Sequence, residues 1–397
     1  MSGPAHASRD GTSPAPGAHD AFLAARYFPA LDGLRCLSIV AVIGFHALGA
    51  DDPFLGRGAV GVELFFVISG FLITTLLLRE RERNGSISLP NFYVRRALRI
   101  FPLYYAVLAV YVVMVAVIEP HSAAGLQFRR NLPAFLSYTS NWFVELDGPR
   151  VIFYFAWSLA TEEQFYLFWP WVVRFARRRL TPPITMAAML VFDQAMQILI
   201  ARGVIDFGSV GNRIATSIAT PISLGCILAY ALHWKESFRP ASRLLGHRLS
   251  LPVALVAMLA AAAVRATPDL VLHLTMTATV GAACIRPDPG WNVLLRNRVA
   301  TYLGTISYGM YLLHMIALNA AWRVVGRRPW PGFVAGLALT ILAAAASHQF
   351  FEKPFLRLKD RWAGARAGPR IAVIAAPVSA PVAQVAAAGP AAGEGPS

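Results

Sequence analysis

Two ionisable side chains lie in a segment apolar enough to cross a membrane, residues 31–50. Arg35 is near its start and His46 near its end. Eleven residues of α-helix place the two side chains within about 20° of one face and about 16 Å apart along the axis. Such residues are costly in a bilayer unless they meet protein or water. Either the arginine reaches the membrane surface and the histidine bonds to a neighbouring helix, or the pair marks a functional cavity.

Three further arginines, Arg95, Arg96 and Arg99, lie at the start of another apolar segment. Arg96 and Arg99 are three residues apart and share a helix face. Guanidinium groups bind phosphate through paired hydrogen bonds, so the cluster suits a phosphorylated ligand. Arginines at the ends of membrane helices also anchor lipid headgroups, and the sequence leaves both roles open.

Two adjacent carboxylates, Glu162 and Glu163, lie inside a further apolar segment. The side chains of neighbouring residues on a helix point about 100° apart, so the two carboxylates need different partners to keep both out of lipid. We expect one to pair with a cation and the other to line a cavity; pairing of each with an arginine is the alternative. No three histidines or carboxylates have the usual spacing of metal ligands, so no metal site is predicted.

The composition predicts the elements that hold these residues. Of the 397 residues, 56% are hydrophobic and 14% are charged, whereas soluble proteins have about 25% charged residues. Ten apolar segments of about 16–25 residues follow one another along the chain. We therefore predict an all-α polytopic membrane bundle with about ten transmembrane helices. The net charge of +15 comes from residues between the apolar segments, which argues against a nucleic-acid partner.

The tails and loops predict the domain limits and the orientation. Residues 1–26 and 361–397 are rich in Ala, Gly and Pro and are predicted to be disordered cytoplasmic tails, flanking a transmembrane domain of residues 27–360. In that topology 25 of the 36 Lys and Arg residues lie on the side of the N-terminus and ten on the other. The positive-inside rule then places both termini in the cytoplasm.

This orientation places three ionisable groups of different helices at one depth. His46, Glu63 and His314 all fall in the outer third of the membrane. We expect them to line a polar cavity open to the outer side, because ionisable residues inside a membrane are usually functional. The alternative is that each is bonded separately to a neighbouring helix.

Six motifs, in order, resemble the acyltransferase-3 family of integral membrane O-acyltransferases, typified by bacterial O-antigen acetylases. The resemblance covers about residues 27–360. The motifs are Arg35-x10-His46, the run GAVGVELFFVISGFL, Arg96-Ala-Leu-Arg99, Trp157-Ser-Leu with Glu162-Glu163, the run SYGMYLLH that ends at His314, and Glu352-Lys-Pro354.

The resemblance implies an acyl donor, usually acetyl-CoA, used from the cytoplasm as a co-substrate, with no tightly bound cofactor. It also implies a multi-pass protein of the inner (cytoplasmic) membrane. The expected site residues are catalytic His46, Glu162 and Glu163, donor-binding Arg35, Arg95, Arg96 and Arg99, and acceptor-binding Glu63, Trp157, Tyr308 and His314.

The expected chemistry is general-base transfer of the acyl group to a hydroxyl. A pantetheine arm of about 15–20 Å would match the Arg35-to-His46 offset of about 16 Å. His46 would take the acceptor's proton, with Glu162 or Glu163 orienting the imidazole; a covalent acyl-histidine is a variant. The expected acceptor is a cell-surface glycan or its lipid-linked precursor. A small molecule such as a macrolide is the alternative, and a non-catalytic transporter or lipid-handling protein is the alternative of another class.

Overall fold

A computed structural model of the chain describes residues 17–144, 150–206, 209–217, 220–285 and 292–364. Within these ranges every regular element is a helix. In chain order they are α1 Ala18–Ala24, α2 Pro29–Leu48, α3 Gly61–Asn84, α4 Leu89–Ile118, α5 Ala123–Leu136, α6 Ser140–Phe143, α7 Ala156–Phe175, α8 Thr181–Ala201, α9 Val210–Ala215, α10 Thr220–His233, α11 Lys235–Leu245, α12 Ser250–Ala263, α13 Asp269–Ile285, α14 Asn292–Arg296, α15 Arg298–Thr305, α16 Ser307–Val325, α17 Pro329–Ala346 and α18 Lys353–Gly364, with a short 3₁₀ turn at Gly58–Val60 and a π-helix at Ser347–Glu352.

The predicted all-α polytopic bundle is confirmed. Among the described residues, six helices are long and apolar enough to cross a membrane, or seven if the bent pair α11 and α12 counts as one span. Each of the ten predicted segments overlaps a helix, but the ninth, residues 299–322, is divided at Ile306 into α15 and α16. Those outside the six include α12 and α13, with 14 and 17 residues, and α7 and α16, which carry polar side chains along their length. These last two helices also carry five of the eleven predicted site residues.

Helix α2 preserves the spacing on which the sequence argument depends. It begins at Pro29, whose fixed φ suits the first turn of a helix. It continues without a break to Leu48 and ends at Gly49, which has a φ of 89° that glycine tolerates. Arg35 and His46 are therefore separated by about 16 Å of continuous helix. We call the two ends of the bundle the arginine end and the histidine end.

Small residues bring the helix backbones close together. A Cβ atom at Gly70 in α3 would lie 2.2 Å from the carbonyl oxygen of Ile222, and one at Gly225 in α10 would lie 2.2 Å from that of Val67. Helices α3 and α10 thus cross in backbone contact, the usual device for helix association in lipid. Gly61 serves the same purpose between α3 and α2, since its Cβ would lie 2.5 Å from the carbonyl oxygen of Ser38.

The expectation of a disordered N-terminal tail is wrong for residues 18–24, which form α1. Phe22 is buried, and Arg79 of α3 donates to the carbonyl oxygens of Phe22 and Ala25 at 2.7 and 2.6 Å. A cation that binds the last carbonyls of a helix stabilises its end. The contact joins residues 54 or more positions apart, so local composition did not reveal it. Residues 1–16 and 365–397 of the predicted tails lie outside the described ranges.

The segment after α4 turns back into the bundle. Tyr104 and Tyr105 of α4 donate to the carbonyl oxygens of Phe135 and Leu136, at the end of α5. These tyrosines lie about 20 Å before the end of α4, so α5 runs back alongside it to that depth. The chain then reverses at Tyr138, which has a φ of 54°. Irregular backbone at this depth is tolerated only where protein covers it.

Candidate active site

A cavity of about 110 Å³ lies among the helices at the arginine end. Its polar lining combines three guanidinium groups, one carboxylate and several hydroxyls. These residues are Arg35, Ser69, Arg96, Arg99, Ser158, Glu162, Tyr166, Ser307, Tyr308 and Tyr311. They come from α2, α3, α4, α7 and α16. The fold therefore brings together residues that are spread over 277 positions of the sequence, from Arg35 to Tyr311.

Two of the three cavity arginines lack an ion-pair partner within the described part of the chain. Arg35 pairs with Asp32, with 3.0 Å between Nη1 and Oδ1. Arg96 instead stacks over the ring of Tyr166, 3.9 Å from its centroid. Arg99 has only longer-range electrostatic partners, Glu352 among them. Guanidinium groups without ion pairs in a buried cavity favour an anionic ligand.

The fourth predicted donor-binding arginine is placed elsewhere. Arg95 pairs with Glu80 of α3, with 3.2 Å between Nη2 and Oε2, and it does not line the cavity. Residues one position apart point in different directions on a helix, so Arg95 faces α3 while Arg96 and Arg99 face the cavity.

The two adjacent carboxylates diverge as their helix geometry requires. Glu162 lines the cavity and accepts a hydrogen bond from Tyr166, which also bonds to Ser69. Glu163 is within electrostatic range of Arg96 and does not line the cavity. Neither carboxylate is among the described contacts of His46. The expected carboxylate–imidazole pair is therefore absent from the described residues.

At the histidine end, His46 and His314 stack with ring centroids 5.1 Å apart and an interplanar angle of 26°. The Tyr154 hydroxyl lies 2.8 Å from His46 Nδ1 and 3.3 Å from Nε2, and the shorter contact is the hydrogen bond. His314 donates from Nδ1 to the carbonyl oxygen of Tyr311, so Nε2 of its neutral ring is an acceptor. That Nε2 is buried without a partner among the described residues.

Glu63 does not join this histidine pair. Its Oε2 lies 3.0 Å from His273 Nε2 of α13, on a different side of α3 from the cavity. The expected polar cavity of three groups is thus divided: two histidines meet, and the carboxylate has its own histidine. A depth predicted from the sequence gives the level of a side chain, but not which neighbouring helix it faces.

The other two predicted acceptor residues have different neighbours. Trp157 packs edge to face on Phe66, with ring centroids 6.2 Å apart. Tyr308 lines the cavity at the arginine end and donates to the carbonyl oxygen of Ile100 at 2.8 Å. Tyr308 is therefore placed beside the predicted donor arginines, and not beside His314.

Two hydroxyls separate the cavity from the histidines. Ser158 Oγ and the Tyr311 hydroxyl lie 2.6 Å apart and both line the cavity. The Tyr311 ring also contacts that of His314, with centroids 5.6 Å apart, whereas His46 is not among the lining residues. The Tyr311 side chain thus connects the lining of the cavity to the stacked imidazoles.

A family model described as an acyltransferase domain matches residues 28–348. The chain belongs to this acyltransferase family. Similar curated proteins include the putative peptidoglycan O-acetyltransferase YrhL of Bacillus subtilis, 28% identical over 357 residues, and the O-acetyltransferase OatA of Staphylococcus aureus, 28% identical over 358 residues. Both alignments cover 83% of this chain.

The chain spans only 55% of the length of YrhL and 57% of that of OatA. No solved structure matches the chain. Within the described residues of this acyltransferase, no group of three or more histidine, cysteine, aspartate or glutamate side chains could hold a metal ion.

Several residues of the acyltransferase site were not predicted from the sequence. Four hydroxyl side chains contact the predicted site residues or lie between them: Tyr154, Ser158, Tyr166 and Tyr311. Ser158, Tyr166 and Tyr311 lie in or beside the recognised motifs, but hydroxyls among many aromatic residues carry no distinctive spacing. Tyr154 follows Phe153, whose φ of 64° is unusual for a bulky residue, and no sequence pattern signals that conformation.

Proposed function

We propose that the protein transfers an acetyl group from acetyl-CoA to a hydroxyl of a cell-surface glycan, such as peptidoglycan, or of its lipid-linked precursor. The named relatives are peptidoglycan and other O-acetyltransferases, which supports the acceptor class. The observation that carries the proposal is an arginine-lined cavity that includes Arg35 of α2, with His46 about 16 Å further along the same helix and stacked on His314 of α16.

The arginine end suits the donor. Arg96 and Arg99 offer guanidinium groups without ion pairs among the described residues, and Arg35 adds a third. Phosphates of coenzyme A are ligands that such groups bind well. The cavity, at about 110 Å³, is too small for a nucleotide. We therefore place the nucleotide at the mouth, with only the narrow pantetheine arm entering.

The loop charges support a cytoplasmic position for the arginine end. In the predicted topology this end lies on the side that holds 25 of the 36 Lys and Arg residues. Coenzyme A thioesters would then enter from the cytoplasm, and both termini would lie there. The acceptor would meet the histidine end from the opposite side of the inner membrane.

The histidine end suits general-base catalysis. In the proposal Nδ1–H of His46 donates to the Tyr154 oxygen, which leaves Nε2 free to accept the proton of the acceptor hydroxyl. The acceptor oxygen attacks the thioester carbonyl, the C–S bond breaks, and the proton passes to the departing thiolate. Tyr154 takes the orienting role that a carboxylate has in other histidine sites.

The thioester must pass the hydroxyl pair to reach His46. Ser158 and Tyr311 hold each other at 2.6 Å between the two levels. An arm that enters from the cavity replaces this contact, since its amides can bond to both hydroxyls. The pair therefore marks the path of the donor in the proposed mechanism.

The test is acetyl transfer by the full chain in proteoliposomes, with acetyl-labelled acetyl-CoA and a peptidoglycan fragment as acceptor. We expect labelled ester on the acceptor with the wild type and at least about a 100-fold lower rate with His46→Ala. His121→Ala, which removes an exposed histidine of an outer loop, is the matched control. Intact transfer by His46→Ala would remove His46 from the mechanism, and no ester from the wild type would refute this donor and acceptor pair.

A further inference from the structure

Asp32 sits one turn before Arg35 and is almost completely buried, with 1% of its surface exposed. Its two carboxylate oxygens have different partners. Oδ1 accepts from Arg35 Nη1 at 3.0 Å, and Oδ2 accepts from the Tyr27 hydroxyl. A chain of two hydrogen bonds therefore leads from the segment before α2 to a guanidinium group of the cavity.

The backbone around Asp32 is fixed by close packing. A Cβ atom at Gly304 of α15 would lie 1.9 Å from the Asp32 carbonyl oxygen, and one at Gly33 would lie 2.1 Å from that of Leu295. The first turn of α2 is thus held in backbone contact with α14 and α15. Because this first turn of α2 cannot shift without a clash, the direction of the Asp32 carboxylate is fixed as well.

The segment that carries Tyr27 is also held. Arg79 binds the carbonyl oxygens at the end of α1, on one side of Tyr27. On the other side, the Phe28 ring packs edge to face on Phe71, with centroids 5.9 Å apart. Burial and the negative charge of Asp32 raise the pKa of Tyr27 well above its usual value, so the phenol keeps its proton and remains a donor.

We propose that Asp32 and Tyr27 are positioning residues for Arg35, so that the segment before α2 forms part of the donor site. The inference rests on the proposed use of Arg35 for acyl-CoA. Arg35 is the cavity arginine with an ion pair among the described residues. A guanidinium group already held in one orientation loses less conformational freedom when a phosphate binds than a free one does.

The experiment measures binding of coenzyme A to the purified full chain in nanodiscs, together with the KM values for acetyl-CoA and acceptor. The variants are Tyr27→Phe, which removes one hydroxyl, and Asp32→Asn. Tyr302→Phe and Asp20→Asn are matched controls, because Tyr302 and Asp20 are exposed. The melting temperature reports whether each variant is folded.

We expect Tyr27→Phe to weaken coenzyme A binding by about 3- to 10-fold and Asp32→Asn by more, each with a parallel rise in the KM for acetyl-CoA. The acceptor KM and the controls should not change. If Asp32→Asn does not fold, Tyr27→Phe decides alone. Unchanged binding by folded Tyr27→Phe, or an equal rise of both KM values, overturns the inference while leaving the proposed function intact. A wild type that binds no coenzyme A refutes the proposed donor as well.

Discussion

The hydrogen bond between Tyr154 and His46 makes a sharp prediction about the variant Tyr154→Phe. The substitution removes only the hydroxyl, which lies 2.8 Å from His46 Nδ1. The aromatic ring can remain, edge on to the imidazole at 5.6 Å, and the stack of His46 on His314 is untouched. The variant thus tests the orientation of the imidazole without opening a large cavity.

The size of the effect follows from the kind of bond that is lost. A neutral hydrogen bond contributes about 1 kcal/mol, which corresponds to about a 5-fold change in rate. If the bond also stabilises the imidazolium cation formed in the transition state, it contributes about 1.5–3 kcal/mol, or about 10- to 150-fold. We therefore expect kcat to fall by about 5- to 150-fold, with little change in the KM for acetyl-CoA, because His46 lies about 16 Å from Arg35.

The assay is release of free coenzyme A thiol that depends on the acceptor, measured with reconstituted protein. Tyr105→Phe is the matched control, since that hydroxyl donates to the carbonyl oxygen of Leu136, away from the histidine pair. In a His46→Ala background, Tyr154→Phe should have no further effect, because residues that act as one unit are not additive. An equal loss in both backgrounds, or no loss in the wild type, would refute the role assigned to Tyr154.

Three further predictions concern other parts of the molecule. Arg99→Ala should raise the KM for acetyl-CoA at least about 10-fold more than the KM for the acceptor. Arg95→Ala, at a residue outside the cavity, should not have this effect. Steady-state kinetics check this prediction, and an equal effect of Arg99→Ala on both KM values would contradict it. Gly70→Ala should destabilise the protein by about 1–3 kcal/mol, because the new Cβ would lie 2.2 Å from the Ile222 carbonyl oxygen. An unchanged melting temperature in nanodiscs would count against this contact between α3 and α10. Arg79→Ala should release α1, seen as faster proteolysis in inside-out vesicles, and unchanged cleavage would speak against the anchor.

Much of the fold was predictable because helices that cross a membrane must be apolar, and the sequence shows apolar segments directly. Each apolar segment predicted from the sequence overlaps a helix. The helical repeat placed Arg35 and His46 on one face. Counting depths along α2 and along a predicted span of residues 299–322 placed His46 and His314 at one level, although that span is divided into α15 and α16. The structure brings these two imidazoles into contact. Such arguments succeed where a residue's position depends only on its own helix and on the alternation of spans.

The rest depends on contacts between distant segments, which no local pattern encodes. Glu63 faces His273 and not the histidine pair, because the rotation of α3 relative to α13 is set by packing. The helix at residues 18–24 is held by distant residues, since Arg79 binds its end and Phe22 packs against Phe238. Tyr154 contacts His46 from the irregular segment before α7, directly after Phe153 with its positive φ.

In the proposed mechanism the hydroxyls of Ser158 and Tyr311 form a partition between the arginine end and the histidine end. A partition made of an ion pair would be costly to open, since breaking a buried pair costs about 3–5 kcal/mol. Ser158 and Tyr311 are neutral. Their hydroxyls lie 2.6 Å apart, and they also lie 3.1 and 3.0 Å from the carbonyl oxygen of Phe155. Neutral hydrogen bonds of this kind contribute about 1 kcal/mol each. Each methylene group of an entering pantetheine arm gains about 0.8 kcal/mol on burial, so the arm can open this partition. A neutral partition therefore fits an enzyme in which the donor itself connects the arginine end to the histidine end.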